Sequence, residues 1–372
     1  MKRLRLETAL LFAAFFALYA LTAQRGIGWG DSAEFQEWVL EHSEFVCGPQ
    51  FSNAHPLYVA FCRLFAVGPT SVALVSSFFG ALAVVGTFLC IRRFALAVLF
   101  GLSQMLWWLS CVAEVQTMSL AMTAFETWIV MTGLGRVRGG FVKSGAAWLS
   151  AAALLSGLHL SVHNFAVLSL PVYAVLMFRS LPVPASIAVA ACWALGASPW
   201  IYHAFTRGLG DVLFGSYGAK VFGILPVNWT QTGFNAFLAS LSFLVPALLA
   251  LWKAKSAGIT PKAVLRGHGV PRDRMWIAVL FLVNFAFWIR YFVPDQSQFL
   301  LPTLFYAYIL TGDAEVGGKR FAALALMQLL LPVLAYSALS RLPVPEGRRG
   351  LHGGRDDARY FAIPWRTPVS WP

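Results

Sequence analysis

The sequence predicts an all-α polytopic membrane protein with about eleven transmembrane helices, in a range of nine to thirteen. Three observations carry that reading. Hydrophobic residues make up 58% of the 372, and charged residues only 12%, against roughly a quarter charged in a soluble domain. Apolar segments recur along the chain, each approaching the ~20 residues that cross a bilayer core, though several are short. Lysine and arginine cluster between alternate segments, the pattern by which positive charge fixes topology. The net charge of +12 is therefore an adaptation to the membrane and not to nucleic acid. The 31 Phe and 14 Trp suit lipid-facing surfaces and interfacial belts. Cys47, Cys62, Cys90, Cys111 and Cys192 lack metal-ligand spacing, and their odd count argues against a disulfide framework.

The elements follow in order. The apolar stretch 6–23 follows a basic Met1–Arg5. It reads as a retained first helix, because Leu21 is a poor residue three positions before a signal-peptide cut at Ala23. Next comes a long first extracytoplasmic loop with short interfacial helices, of which 56–67 is one lying in the membrane surface. Further spans are expected at about 70–91, 94–110, 113–134, 144–160, 162–178, 183–204, 231–252, 275–292, 298–311 and 321–340. Hydrocarbon offers no partner to a backbone N–H or C=O, so spans must be helices. With the N-terminus inside, cytoplasmic segments hold seventeen of the 28 Lys and Arg, six of them in 253–274. The opposite loops hold Arg25, Arg63, Arg207, Lys220 and Arg290. Residues 1–340 thus form one transmembrane domain. The basic Pro/Gly/Arg-rich tail 341–372 is expected to be poorly ordered.

That topology gathers the unusual polar residues on the extracytoplasmic side. The first loop carries Asp31, Glu34, Glu37, Glu41 and Glu44, five of the chain's sixteen acidic residues, and closes on His55-Pro56-Leu57-Tyr58. Later turns bring Glu114 and Gln116, then His159, His163 and Asn164, then Arg207, and finally Arg290, Tyr291 and Asp295. Ionisable groups at membrane depth are costly and mark function. A transporter, the rival reading, would carry such groups near the midplane of broken helices. Plainer roles compete at several positions. Asp31 followed by Glu34 is close to a helix capping box. Glu37, Glu41 and Glu44 read as a solvated face. His159 and His163 have a metal-compatible spacing but no acidic companion motif. Arg290-Tyr291 also fits an interfacial anchor, and Glu126 lies inside a span as an intramembrane hydrogen-bond partner.

Four stretches, taken in order, resemble one family. GDSAEF followed by HPLY is similar to the GDSGE…HPPGYPLY signature of a family of GT-C-type membrane glycosyltransferases, long filed as a domain of unknown function and including a vertebrate protein O-mannosyltransferase. WWLSCVAEVQTMSL, LLSGLHLSVHNFAVLSLP and YFVPDQSQFLLPTL resemble its later segments. The chain departs from the pattern in lacking the Pro-Gly insertion before Leu57 and in having Gln116 where the family has Tyr; it is also expected to carry no large soluble C-terminal domain. The resemblance implies a GT-C-like fold and inverting transfer of a sugar from a polyprenyl-phosphate donor to an extracytoplasmic protein or glycan acceptor. By motif position Asp31 is the base, with Glu34 and Glu114 shaping the site. His55, Tyr58, His159, His163, Asn164, Arg207, Arg290, Tyr291 and Asp295 are the substrate-binding candidates. No cofactor follows beyond the lipid-linked donor; the class admits a divalent metal, but no clear ligand set implies one. The Arg bias over Lys, 21 to 7, suits a GC-rich genome, and the expected location is by default a prokaryotic plasma membrane, or the endoplasmic reticulum if the source is eukaryotic.

Overall fold

A membrane protein must pair its backbone polar groups within each segment, and the structure, a computed structural model, meets that demand with helices. It describes residues 2–28, 31–42, 55–209, 229–256, 274–290 and 296–339. Helix α1 (Lys2–Thr22) is followed by two short helices, α2 (Asp31–Glu41) and α3 (Pro56–Phe65). Next come α4 (Pro69–Ile91), α5 (Phe94–Gly101), α6 (Gln104–Ser110), α7 (Gln116–Arg138) and α8 (Val142–Leu160). A 3-10 turn, Asn164–Leu168, leads into α9 (Leu170–Ser180) and α10 (Val183–Arg207). The remainder is α11 (Trp229–Ser256), α12 (Met275–Arg290), a second 3-10 turn (Gln296–Leu300), α13 (Leu301–Leu310) and α14 (Gly318–Leu339). Among the described residues, α1, α4 and α10 are long and apolar enough to cross a membrane.

Helix α4 is the central post. Its apolar window is 72% buried, against 17% in α1 and 22% in α10, which therefore turn most of their surface outward. It begins where Ser71 Oγ accepts the N–H groups of the N-cap Gly68 at 3.1 Å and of Val67 before it at 2.8 Å, the reciprocal half of a capping box. Small residues let the other helices close in. A Cβ on Gly157 of α8 would strike the backbone of Trp193 and Ala197, and one on Gly196 of α10 would strike Leu154. That pair of glycines brings the two helices to backbone contact, the usual device of packing within bilayers.

The apolar run expected as one span at 94–110 is instead two helices. Ser103 adopts an extended backbone (φ −61°, ψ 132°), and the freed groups find partners on other helices. The Tyr19 hydroxyl donates to the Gly101 carbonyl at 2.7 Å and the Tyr308 hydroxyl to Leu99 at 3.2 Å. The Met105 N–H donates to Ser242 Oγ at 3.0 Å. A break inside a span is tolerated when neighbouring side chains re-satisfy the backbone. The expected span 162–178 likewise opens with its 3-10 turn, and 298–311 is preceded by another.

Candidate functional site

The site is built where the first loop meets two interhelical turns. Gln36 of α2 fastens the loop. Its Oε1 accepts the Gly28 N–H at 2.6 Å, while its Nε2 donates to the carbonyls of Gly26 (3.2 Å) and Pro69 (2.9 Å). Gly28 has no room for a side chain, since a Cβ there would lie 2.7 Å from Ser32 Cβ and 3.3 Å from Gln36 Oε1. This packing sets the start of α2, whose first turn carries Asp31 and Glu34. Asp31 is half-buried and Glu34 exposed. Glu37 and Glu41 are exposed as expected for a solvated face. Ser32, fully buried beside Asp31, approaches Glu114 Oε1 at 3.5 Å.

Glu114 lies in the turn between α6 and α7 and is 2% exposed. Ser76 of α4 holds that turn through a single oxygen, accepting the Glu114 N–H and donating to its carbonyl, each at 3.0 Å. The same Oγ stands 3.3 Å from the Tyr58 hydroxyl, so Tyr58 is committed to this buried joint. Helix α3 is pinned at its start to the turn after α8. The Leu57 N–H donates to Ser161 O at 3.1 Å, and His55 Nδ1 donates to the Val162 carbonyl. A carbonyl only accepts, so Nδ1 carries the His55 proton and Nε2 keeps a lone pair. Burial pushes the His55 pKa down to about 4, with the Val162 bond and the Asp31 charge pulling weakly the other way. The imidazole is therefore neutral at pH 7.

His163 lies against His55, ring centroids 5.0 Å apart. Its Nδ1 accepts the Phe165 N–H at 3.2 Å, which places its proton on Nε2, 3.3 Å from the Gln116 amide; the oxygen end of that amide must face it. Burial first, and then the neighbouring His55 and His159, hold its pKa well below the ordinary value. Phe35 packs edge-on to Tyr58 at 5.1 Å, and Phe299 flanks His163 at 5.9 Å, so the two imidazoles sit in an aromatic collar.

Two predicted substrate contacts are engaged elsewhere. Asn164 Oδ1 accepts the Trp200 indole N–H at 2.8 Å. His159, in the last turn of α8, has Nδ1 2.8 Å from Glu126 Oε1 and Nε2 2.7 Å from Ser119 Oγ. Glu126 thus has its intramembrane partner. Residues 207 and 290 end α10 and α12, but the side chains of Arg207 and Arg290, together with Tyr291, Asp295, Cys47 and the tail 341–372, lie outside the described residues. Among the described residues no three His, Cys, Asp or Glu side chains converge as metal ligands. Sequence reasoning passed over Ser32, Gln36, Ser76 and Ser119, because a hydroxyl or amide carries no signal until its long-range partner is known.

The fold is that of GT-C-type membrane glycosyltransferases. The structure of ArnT from Cupriavidus metallidurans bound to undecaprenyl phosphate superposes with a TM-score of 0.61 at 14% identity, covering 90% of this chain and 66% of that one. The apo state of the same protein gives 0.60 at 14% identity, covering 90% and 65%. The chain thus spans just under two thirds of the length of these solved proteins. The family described as "Protein O-mannosyl-transferase TMEM260 N-terminal domain" matches residues 93–184, in agreement with the resemblance read from the motifs. That segment holds Glu114, His159, His163 and Asn164 but not the first loop. No curated protein sequence matches the chain significantly.

Proposed function

We propose that the chain is a membrane glycosyltransferase that takes a sugar from a polyprenyl-phosphate donor and passes it, with inversion, to an acceptor hydroxyl outside the cytoplasm. The observation that carries this is the placement of Asp31. It stands half-buried on the first turn of α2, close enough to His55 for its charge to be felt there, on a fold shared with a protein solved with undecaprenyl phosphate. In the step proposed, the Asp31 carboxylate takes the proton of the acceptor hydroxyl as its oxygen bonds the anomeric carbon. The bond from that carbon to the phosphate oxygen breaks on the opposite face, and its electron pair leaves with the polyprenyl phosphate. Glu114, buried beside Ser32, orients the acceptor. Arg207 and Arg290, at the outer ends of α10 and α12, offer planar forks suited to the departing phosphate. The reading places the protein in a prokaryotic plasma membrane with this site facing outward, and leaves a protein hydroxyl or a glycan as acceptor.

Asp31→Asn tests the proposal, because Asn caps a helix as well as Asp does but is no base. Transfer of labelled sugar from polyprenyl-phosphate mannose into membrane acceptors should fall by about 10²–10⁴-fold with the melting temperature unchanged. A near wild-type rate would make Asp31 a helix cap and pass the role to Glu34 or Glu114.

A further inference from the structure

We propose that Glu126 and His159, with Ser119, are positioning residues that hold the two halves of the site in register; this rests on the transferase reading above. Ser119 and Glu126 are seven residues apart on α7 and so share one face. His159, in the last turn of α8, bridges them with bonds of 2.8 Å to Glu126 and 2.7 Å to Ser119. All three are at most 7% exposed. All three being buried, these groups have no water to turn to if the helices slide. Nearer the cytoplasm the same helices meet through Gly133, Leu149 and Gly145, contacts that set a distance but no direction. The Arg136–Ser144 bond at the rim, 3.0 Å, is exposed.

Each helix locked by the trio ends in a turn that builds the site. Helix α7 opens at Gln116, directly after the Glu114 turn that Ser76 holds, and Gln116 reaches His163. Helix α8 closes at Leu160, and the next residues supply the carbonyls of Ser161 and Val162 that hold Leu57 and His55. A slip of α8 by one residue, about 1.5 Å, would carry both carbonyls away. A displacement of about 1 Å at a reacting centre costs on the order of 10²-fold in rate. Packing alone does not call for an ionisable pair between these helices; fixing their register does.

Hydrogen exchange on the full chain in detergent micelles tests this whatever the acceptor is. In Glu126→Leu, the amides of Leu57 and Phe165 should exchange at least about tenfold faster, and in Ser119→Ala about threefold faster, while 70–90 keeps its wild-type protection. Glu126→Gln retains an oxygen for His159 Nδ1 and should change these amides less than about threefold. With polyprenyl-phosphate mannose, Glu126→Leu should lower kcat by about 10²-fold and move the donor KM by less than about twofold. Wild-type exchange at both amides in Glu126→Leu and Ser119→Ala overturns the proposal. So does equal acceleration across 70–90, which would make the trio a general fold element. Absence of transfer by the wild type overturns the transferase reading instead, and the exchange pattern still decides the coupling.

Discussion

Acidification should unlock the joint between the first loop and the turn after α8, and the size of the effect can be worked from His55. Its ordinary pKa is 6.5 and burial brings it to about 4 in the folded protein. The unfolded chain therefore binds the proton first. The penalty is absent above pH 6.5, grows as the pH falls, and is complete only below about 4. Between pH 7.5 and 4.5 this single group removes about 2–3 kcal/mol of stability. Denaturant unfolding in micelles at several pH values measures the loss. Burial also lowers the pKa of His163, whose ring lies against His55, so the quantity to read is the difference from His55→Asn, whose amide can still donate to Val162. The wild type should lose 2–3 kcal/mol more than the variant over that range. Parallel pH profiles would refute the argument that His55 is held neutral by burial.

Other expectations follow from the same geometry. Ser76→Ala removes the one oxygen that satisfies both backbone groups of Glu114, leaving a buried N–H without its partner. Unfolding in micelles should show a loss of about 2–3 kcal/mol. Ser77→Ala, which removes a donor to Ser110 O, should cost about 1 kcal/mol, and equal losses would contradict the role assigned to Ser76. Cysteines placed at 258–268 should label with an impermeant reagent only from the cytoplasmic side, and one at Glu37 only from outside; the reverse pattern overturns the topology.

Much of the fold could be read from the sequence where local chemistry governs. The expected 70–91 is observed as Pro69–Ile91, and the expected 183–204 begins at Val183, because Pro at a first turn and a long apolar run are local signals. The division of 94–110 was not legible. Its residues are apolar throughout, and Gly101 and Ser103 are common within membrane helices; what splits the run is a set of hydroxyls more than eighty residues away. The same limit applies to the site. Asp31, His55, Glu114 and His163 stand out as polar groups in an apolar sequence, and all four lie at helix ends or in turns, where topology alone brings them near one another. That His159 bonds Glu126 and Ser119 depends on the rotation of α8 against α7, which neither helix encodes by itself.

The broken helix has a consequence for biogenesis. While the chain is being made, α5 and α6 form with their interrupted backbone incomplete. Tyr19 is already present, but the Met105 N–H waits 137 residues for Ser242, and the Leu99 carbonyl waits 209 residues for Tyr308. At about 5–20 residues per second the second interval is roughly 10–40 seconds. During it the open groups must be sheltered by the insertion machinery or by water. The first half of the protein is thus an unfinished object until the last helices arrive, and premature release would leave polar backbone without its partners.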